Sequence, residues 1–374
     1  MKSLKSLLML CIAAMLCGAC AENGGDDGNG ALTLSAKPSS IMANVETAQL
    51  VVKIGNKRLS ADEITLYNEK GVVIEVPNLQ FSSDTPGTYG FQAAYSHPTN
   101  GDMLSNFITV RVTKEVAMPE APVDAEPSNL DFERKIMNIR FTGTGCGACP
   151  VLATALRSVL SDDEYKDSFI ECAVHQYGPD DPAYLTSPQL GGTMGVAYYP
   201  TSVLDMNKEN SKIVGAVSAN LIKQNLDKAM KRVDARVGIA ANSKLDTEAN
   251  SISVLAKIKV NTAGEYRIGA WLLEDNIYGK QTNASEEWHN YHNNSVRYVD
   301  SKYGSNDYTG YSVGNLSKGE YADWRFIFDV DEMWVPENCH IAIFVSSKED
   351  NGKFYVNNII DVPLNGSVGF NYAK

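Results

Sequence analysis

The chain has 374 residues, 44% of them hydrophobic, and a formal net charge of −12. It is too long for one ordinary domain, and its apolar fraction is that of a folded protein. The acidity argues against nucleic acid as a partner and leaves no basic patch for anionic lipid heads.

Met1-Lys2-Ser3-Leu4-Lys5 is a basic opening, and the apolar run 7–16 behind it is too short to span a bilayer. This pattern predicts a signal peptide over 1–20. Leu16-Cys17-Gly18-Ala19-Cys20 resembles a bacterial lipobox, with Cys20 as the lipidated residue and the membrane as a partner through that lipid. The plainer reading is ordinary cleavage after Ala19. Residues 21–30, rich in Gly, Asp and Asn, read as an acidic flexible tether. Of seven cysteines, Cys146, Cys149, Cys172 and Cys339 then remain for the folded part. In an oxidising envelope the close pair is expected to form a disulfide.

Residues 31–115 read as short strands with turn punctuation, the pattern of an immunoglobulin-like β-sandwich. Asp84-Thr85-Pro86-Gly87-Thr88-Tyr89 resembles the tyrosine corner of such domains, and the module is expected to act as a spacer. Residues 116–134, with Pro119, Pro122 and Pro127, predict a semi-rigid linker.

From 135 to 234 strand and helix patterns alternate. An apolar run ends in Phe141-Thr142-Gly143-Thr144-Gly145, and Cys146-Gly147-Ala148-Cys149-Pro150 then opens a helical segment. Proline is tolerated in the first turn of a helix, so the helix is expected to start at about Cys146 or Gly147. That start puts the Cys146 sulfur by free N–H groups at the positive end of the helix dipole, favouring thiolate. Cys146 is then the attacking sulfur and Cys149 the resolving one. Pro200 interrupts a strand pattern, where a central strand would lose a ladder bond. Thioredoxin-like folds carry a cis-proline beside the C-x-x-C at this point, and Pro200-Thr201 looks like it. The predicted order of elements is thioredoxin-like.

Residues 235–374 return to strand patterns, at 235–240, 252–260, 266–273, 324–330, 340–345 and 353–362, which predict a second β-sandwich. A long polar, aromatic-rich insertion over 276–321 reads as a functional or mobile loop. Trp288, His289, Tyr291, His292, Asn293 and Arg297 form its candidate binding surface. The alternative is a surface loop packing its aromatics on the sandwich.

The fold expected from the sequence is thus multidomain: an N-terminal immunoglobulin-like β-sandwich, a central α/β thioredoxin-like domain and a C-terminal β-sandwich. Phe141-Thr142-Gly143, Cys146, Cys149, Pro150 and the 292–297 run resemble the outer-membrane-protein-28-related lipoproteins of Gram-negative anaerobes, over about residues 134–374. The resemblance implies a cell-envelope, outer-membrane lipoprotein with a thioredoxin-like fold, discussed as an adhesin or receptor. Two departures from thioredoxins matter. Arg140 stands where thioredoxin has its buried acid, and Gly145 stands where it has a tryptophan. Arginine cannot act as a base, so His175 and Tyr177, at the end of the strand after the cysteine helix, are the candidates for proton transfer.

Two functions compete. One is a thiol–disulfide oxidoreductase using Cys146, Cys149, Pro200, Arg140 and His175 on a protein thiol or disulfide substrate. The other is a surface adhesin, receptor or ligand-binding lipoprotein with a structural disulfide, meeting a host or matrix protein. Zinc on Cys146, Cys149, Cys172 and His175 is a weaker alternative, because residues three apart on a strand face opposite ways. No metal or cofactor is expected.

Overall fold

The computed structural model describes residues 30–373. The signal peptide, Cys20 and nearly all of the tether lie outside the described residues.

Residues 32–113 form two packed sheets around one apolar core containing Leu34, Ile41, Leu50, Phe91 and Val110. The Tyr89 hydroxyl donates to the Thr85 carbonyl at 2.8 Å, the tie expected of a tyrosine corner. This module is docked onto the rest of the chain rather than held off as a bead. Thr109 Oγ1 donates to Ser312 O at 2.9 Å, and Ser39 Oγ donates to Asp323 O at 2.8 Å. Arg111 reaches the buried Asp300 at 3.2 Å. The partly buried Arg111 and the buried Asp300 thus fix the module against the sheet that follows.

A nine-stranded sheet organises the remainder. Across it run Lys212–Val214, Thr201–Leu204, Ile136–Thr142, Phe169–His175, Ser295–Asp300, Gly264–Glu274, Cys339–Lys348 and Phe354–Pro363, with Tyr311–Leu316 pairing beside Gly264–Glu274. Ile136–Thr142 is parallel to Phe169–His175 and antiparallel to Thr201–Leu204. Helices Cys149–Leu160 and Ala219–Met230 cover one face of this half through Ile136, Leu152, Leu156, Phe169, Ile222 and Leu226. A four-stranded sheet, which includes Val237–Asp246, Ser251–Val260 and Tyr321–Asp329, packs on the other half around Trp324, Phe326, Ile341 and Ile343. One sheet therefore carries both the cysteine segment and the C-terminal strands, joined where Ala173 pairs with Ser295.

The insertion expected to be a long loop carries four short strands between its turns. Ser295–Asp300 and Tyr311–Leu316 are sheet strands, and Ile277–Tyr278 pairs with Tyr291–His292. Arg297, Asp300 and Ser312 on these strands bond to neighbouring segments, so alternation of hydrophobicity does not advertise them. The linker carries little regular structure and lies against the four-stranded sheet. Ser253 Oγ donates to Ala117 O at 2.8 Å and Asn242 Nδ2 to Glu120 O at 2.8 Å.

Candidate functional site

Ile136–Thr142 delivers the chain to the cysteine turn. Ile136 lies beneath the helices, and the two-residue period of a strand puts Arg140 and Thr142 on that same face. The helix begins at Cys149, later than the sequence suggests, with Pro150 in its first turn. Cys146 sits in the preceding turn, where its N–H donates to Gly143 O at 3.0 Å and its carbonyl accepts from Cys149 N–H at 3.2 Å. Cys146 and Cys149 are joined by a disulfide. Both are buried, at 3% and 2% exposure.

The burial comes from the insertion. Residues 279–294 form a cap over the turn: Gln281 Nε2 donates to the carbonyls of Thr144 and Cys146, each at 3.0 Å. Thr282 N–H donates to Thr144 O at 2.8 Å, and Asn283 Nδ2 to Gly147 O at 3.2 Å. Gly147 lets Asn283 approach closely, since a Cβ there would meet Asn283 Nδ2 at 2.6 Å and push that side chain aside. The cap also grips the cysteine helix. His289 Nε2 pairs with Thr154 Oγ1 at 3.0 Å, and the Arg157 guanidinium lies 4.5 Å from the Trp288 ring centroid.

Between cap, helix and strands lies a cavity of about 530 Å³, lined by Arg140, Cys149, Glu171, Trp288, His292 and Asn293 among others. Arg140 Nε pairs with Glu171, on the neighbouring strand. That carboxylate offsets part of the charge of the Arg140 guanidinium.

His175 is fully buried, and its Nδ1 lies 2.8 Å from Asp181 Oδ2. Burial pushes its pKa down against the pull of Asp181, so the imidazole is neutral and donates Nδ1–H. Burial also pushes Asp181 up, but hydrogen bonds from His175 and from the Thr144 and Ala183 N–H groups overrule it and hold the carboxyl at about 2. His175 Nε2 has no partner among the described residues, and its ring stands edge-on to His292, centroids 4.8 Å apart. Burial and His175 lower the pKa of His292 to about 4, while its Nε2 donates to Gly279 O at 3.0 Å.

The structure thus gathers Arg140, Cys149, Trp288, His289, Tyr291, His292 and Asn293 at one cavity. Arg297 goes elsewhere: it pairs with Glu274 at 2.6 Å and donates to Pro182 O at 2.9 Å, tying a sheet strand to the 176–189 excursion. The Tyr199–Pro200 peptide is cis, and Pro200 leads into the strand whose Thr201 pairs with Phe141. Cys172 lies in the core on the opposite face of its strand from the helices. Glu171, Asp181 and Gln281 escaped the sequence reading, because nothing local marks a carboxylate or amide whose partners lie far along the chain.

The buried neutral histidines predict an acid-sensitive cap. Below pH about 6.5 the unfolded chain takes up a proton on His292, while the folded state resists until about 4. The unfolded state binds more protons in that window, so the contribution is present above pH 6.5 and is lost as pH falls toward 4. Protection of residues 279–294 against hydrogen exchange, taken relative to the intrinsic rate at each pH, should fall across that interval in the native protein and less so in His292→Asn. Protection unchanged from pH 7 to pH 4.5 would contradict this origin.

Residues 188–366 match the family described as Outer membrane protein Omp28, a span that starts after the disulfide and takes in Pro200 and the cap. No curated protein sequence matches the chain. Among solved structures, HBP35 of Porphyromonas gingivalis superposes with a TM-score of 0.52, covering 63% of this chain and 76% of that one at 17% identity. At that identity the likeness concerns the fold alone.

Proposed function

We propose that this chain is an outer-membrane lipoprotein of the cell envelope, anchored through Cys20, which binds a small ligand in the cavity beneath its cap. Residues 136–230 are a thioredoxin-like unit in which the disulfide acts as a staple. The match to an outer-membrane protein family supports the address. The order of the four strands from Lys212–Val214 to Phe169–His175, the helix opened by the cysteines and the position of Pro200 support the thioredoxin-like reading.

The observation that carries the binding reading is the closure of the cysteine turn. Exchange needs a thiolate to approach one sulfur of the disulfide, and rates depend on that access. Here both cysteines are buried, and Gln281 spans the turn beneath which they lie. A cavity with both polar and apolar walls, by contrast, stands open beside Cys149. Surface work as an adhesin or receptor belongs to the same class of role.

One observation favours exchange: Pro200 and the cysteine turn stand at the same end of paired strands. Trapping separates the two readings. Cys146→Ser and Cys149→Ser, expressed in an envelope-bearing host, should accumulate no mixed disulfides above the level of the double serine variant. Adducts on Cys149→Ser that are absent from Cys146→Ser would reinstate exchange.

A further inference from the structure

The cavity is lined by a guanidinium that the protein uses only in part. Arg140 is 9% exposed, and its one hydrogen bond runs from Nε to Glu171. Its two Nη groups have no partner among the described residues and are not sealed from open space, which here is the cavity that Arg140 lines. A buried guanidinium with free donors is costly unless something accepts from them. At the rim, Arg157 rests on Trp288 and pairs with no carboxylate among the described residues. Glu171 is the carboxylate lining the cavity, and His292 is neutral there, as its pKa of about 4 requires. Two guanidiniums against one carboxylate leave a surplus positive charge in a chain whose net charge is −12.

The remaining walls divide by chemistry. Pro150, Ala153 and Leu160 of the cysteine helix are apolar, and Trp288 and Tyr291 add aromatic surface on the cap. Asn293 Oδ1 is taken by Asn276 N–H, leaving its Nδ2 free to donate.

We propose that this cavity binds a small organic monocarboxylate with an apolar body, its carboxylate on the Arg140 Nη groups and its body along the cysteine helix. A planar guanidinium matches a carboxylate with two parallel hydrogen bonds. One surplus charge suits a monoanion, and Glu171 beside Arg140 repels a phosphate dianion. The volume fits a ligand of amino-acid-derivative size. This assignment rests on the binding role proposed above.

The test is a charge series on the purified protein, read by calorimetry and by the Trp288 indole NMR signal, assigned with Trp288→Phe. The probes are N-acetyl-L-phenylalanine, its uncharged amide, phenethylamine and inorganic phosphate. The acid should bind at least tenfold more tightly than the amide, and phosphate and amine should bind weaker still. Arg140→Gln should abolish the preference for acid over amide. Should that variant fail to fold, Arg157→Gln is expected to reduce acid binding about threefold and leave amide binding unchanged. Glu171→Gln should tighten acid binding. Equal affinity for acid and amide, or a preference for amine or phosphate, would overturn the carboxylate assignment while leaving a binding site in place. No perturbation of Trp288 by any probe of either charge or none would overturn the binding role with it.

Discussion

Replacing Asp205 by alanine is expected to destabilise the sheet by about 3–5 kcal/mol, the cost of breaking a buried ion pair from one side. Asp205 is 1% exposed and pairs with Arg134, whose side chain is 4% exposed, and with Arg232 at 3.3 Å. Its Oδ1 also accepts from Met137 N–H at 3.0 Å. Alanine would leave Arg134 buried without a carboxylate and Met137 without a side-chain acceptor. The backbone at 205 makes the position still harder to fill, because φ is +53°. Asparagine tolerates that region and keeps one acceptor, so Asp205→Asn should cost less than alanine. The loss should propagate across the molecule. Asp205 N–H donates to Met137 O and Val356 N–H donates to Asp205 O, so this one residue ties the cysteine half of the sheet to its far edge. Urea unfolding measures the effect as a fall in midpoint at unchanged slope. A loss below about 1 kcal/mol would mean that the guanidiniums find other partners.

Lys259→Met is expected to release the linker and cost about 2–3 kcal/mol, the range for lost hydrogen bonds to a charged group. Lys259 is fully buried on its strand, with Nζ 2.9 Å from Asp124 Oδ2 and donating to Asn129 O at 2.8 Å and Glu126 O at 3.2 Å. The rings of Tyr321 and Tyr372 each lie 5.4 Å from it. Burial lowers the pKa of this ammonium, but hydrogen bonds with Asp124, Tyr372 and Tyr321 overrule that and raise it, so it stays charged at neutral pH. Methionine fills the volume but leaves Asp124 without its cation. Limited proteolysis should then cut within 116–134 while the cysteine half stays intact. Unchanged resistance in that segment would show the linker to be held by its backbone contacts alone.

How much of this was legible beforehand varies with the range of the interactions. Cys-x-x-Cys-Pro announces a disulfide opening a helix, because the whole device is local, and the tie from Tyr89 to Thr85 spans a few residues. The C-terminal strands centred on Val254, Trp271, Phe326 and Ile343 show in their apolar runs. Ser295–Asp300 and Tyr311–Leu316 do not, since their serines, asparagine and arginine are polar residues in sheet positions. The cap escaped for the same reason. Gln281 is an unremarked residue until the fold brings it to the carbonyls of Thr144 and Cys146, far back along the chain. Arg140 was legible as an anomaly in its position, but its neutralising partner Glu171 follows only from strand register.

The claim that the disulfide is a staple under a cap is tested most directly by its reduction potential, measured in the purified protein by equilibration against thiol couples with alkylation as readout. Burial of both sulfurs and the Gln281 bridge predict a potential below about −300 mV, in the range of structural disulfides. A value between about −120 and −270 mV, where dedicated exchange proteins lie, would contradict the account and make the cap a gate over a working redox pair.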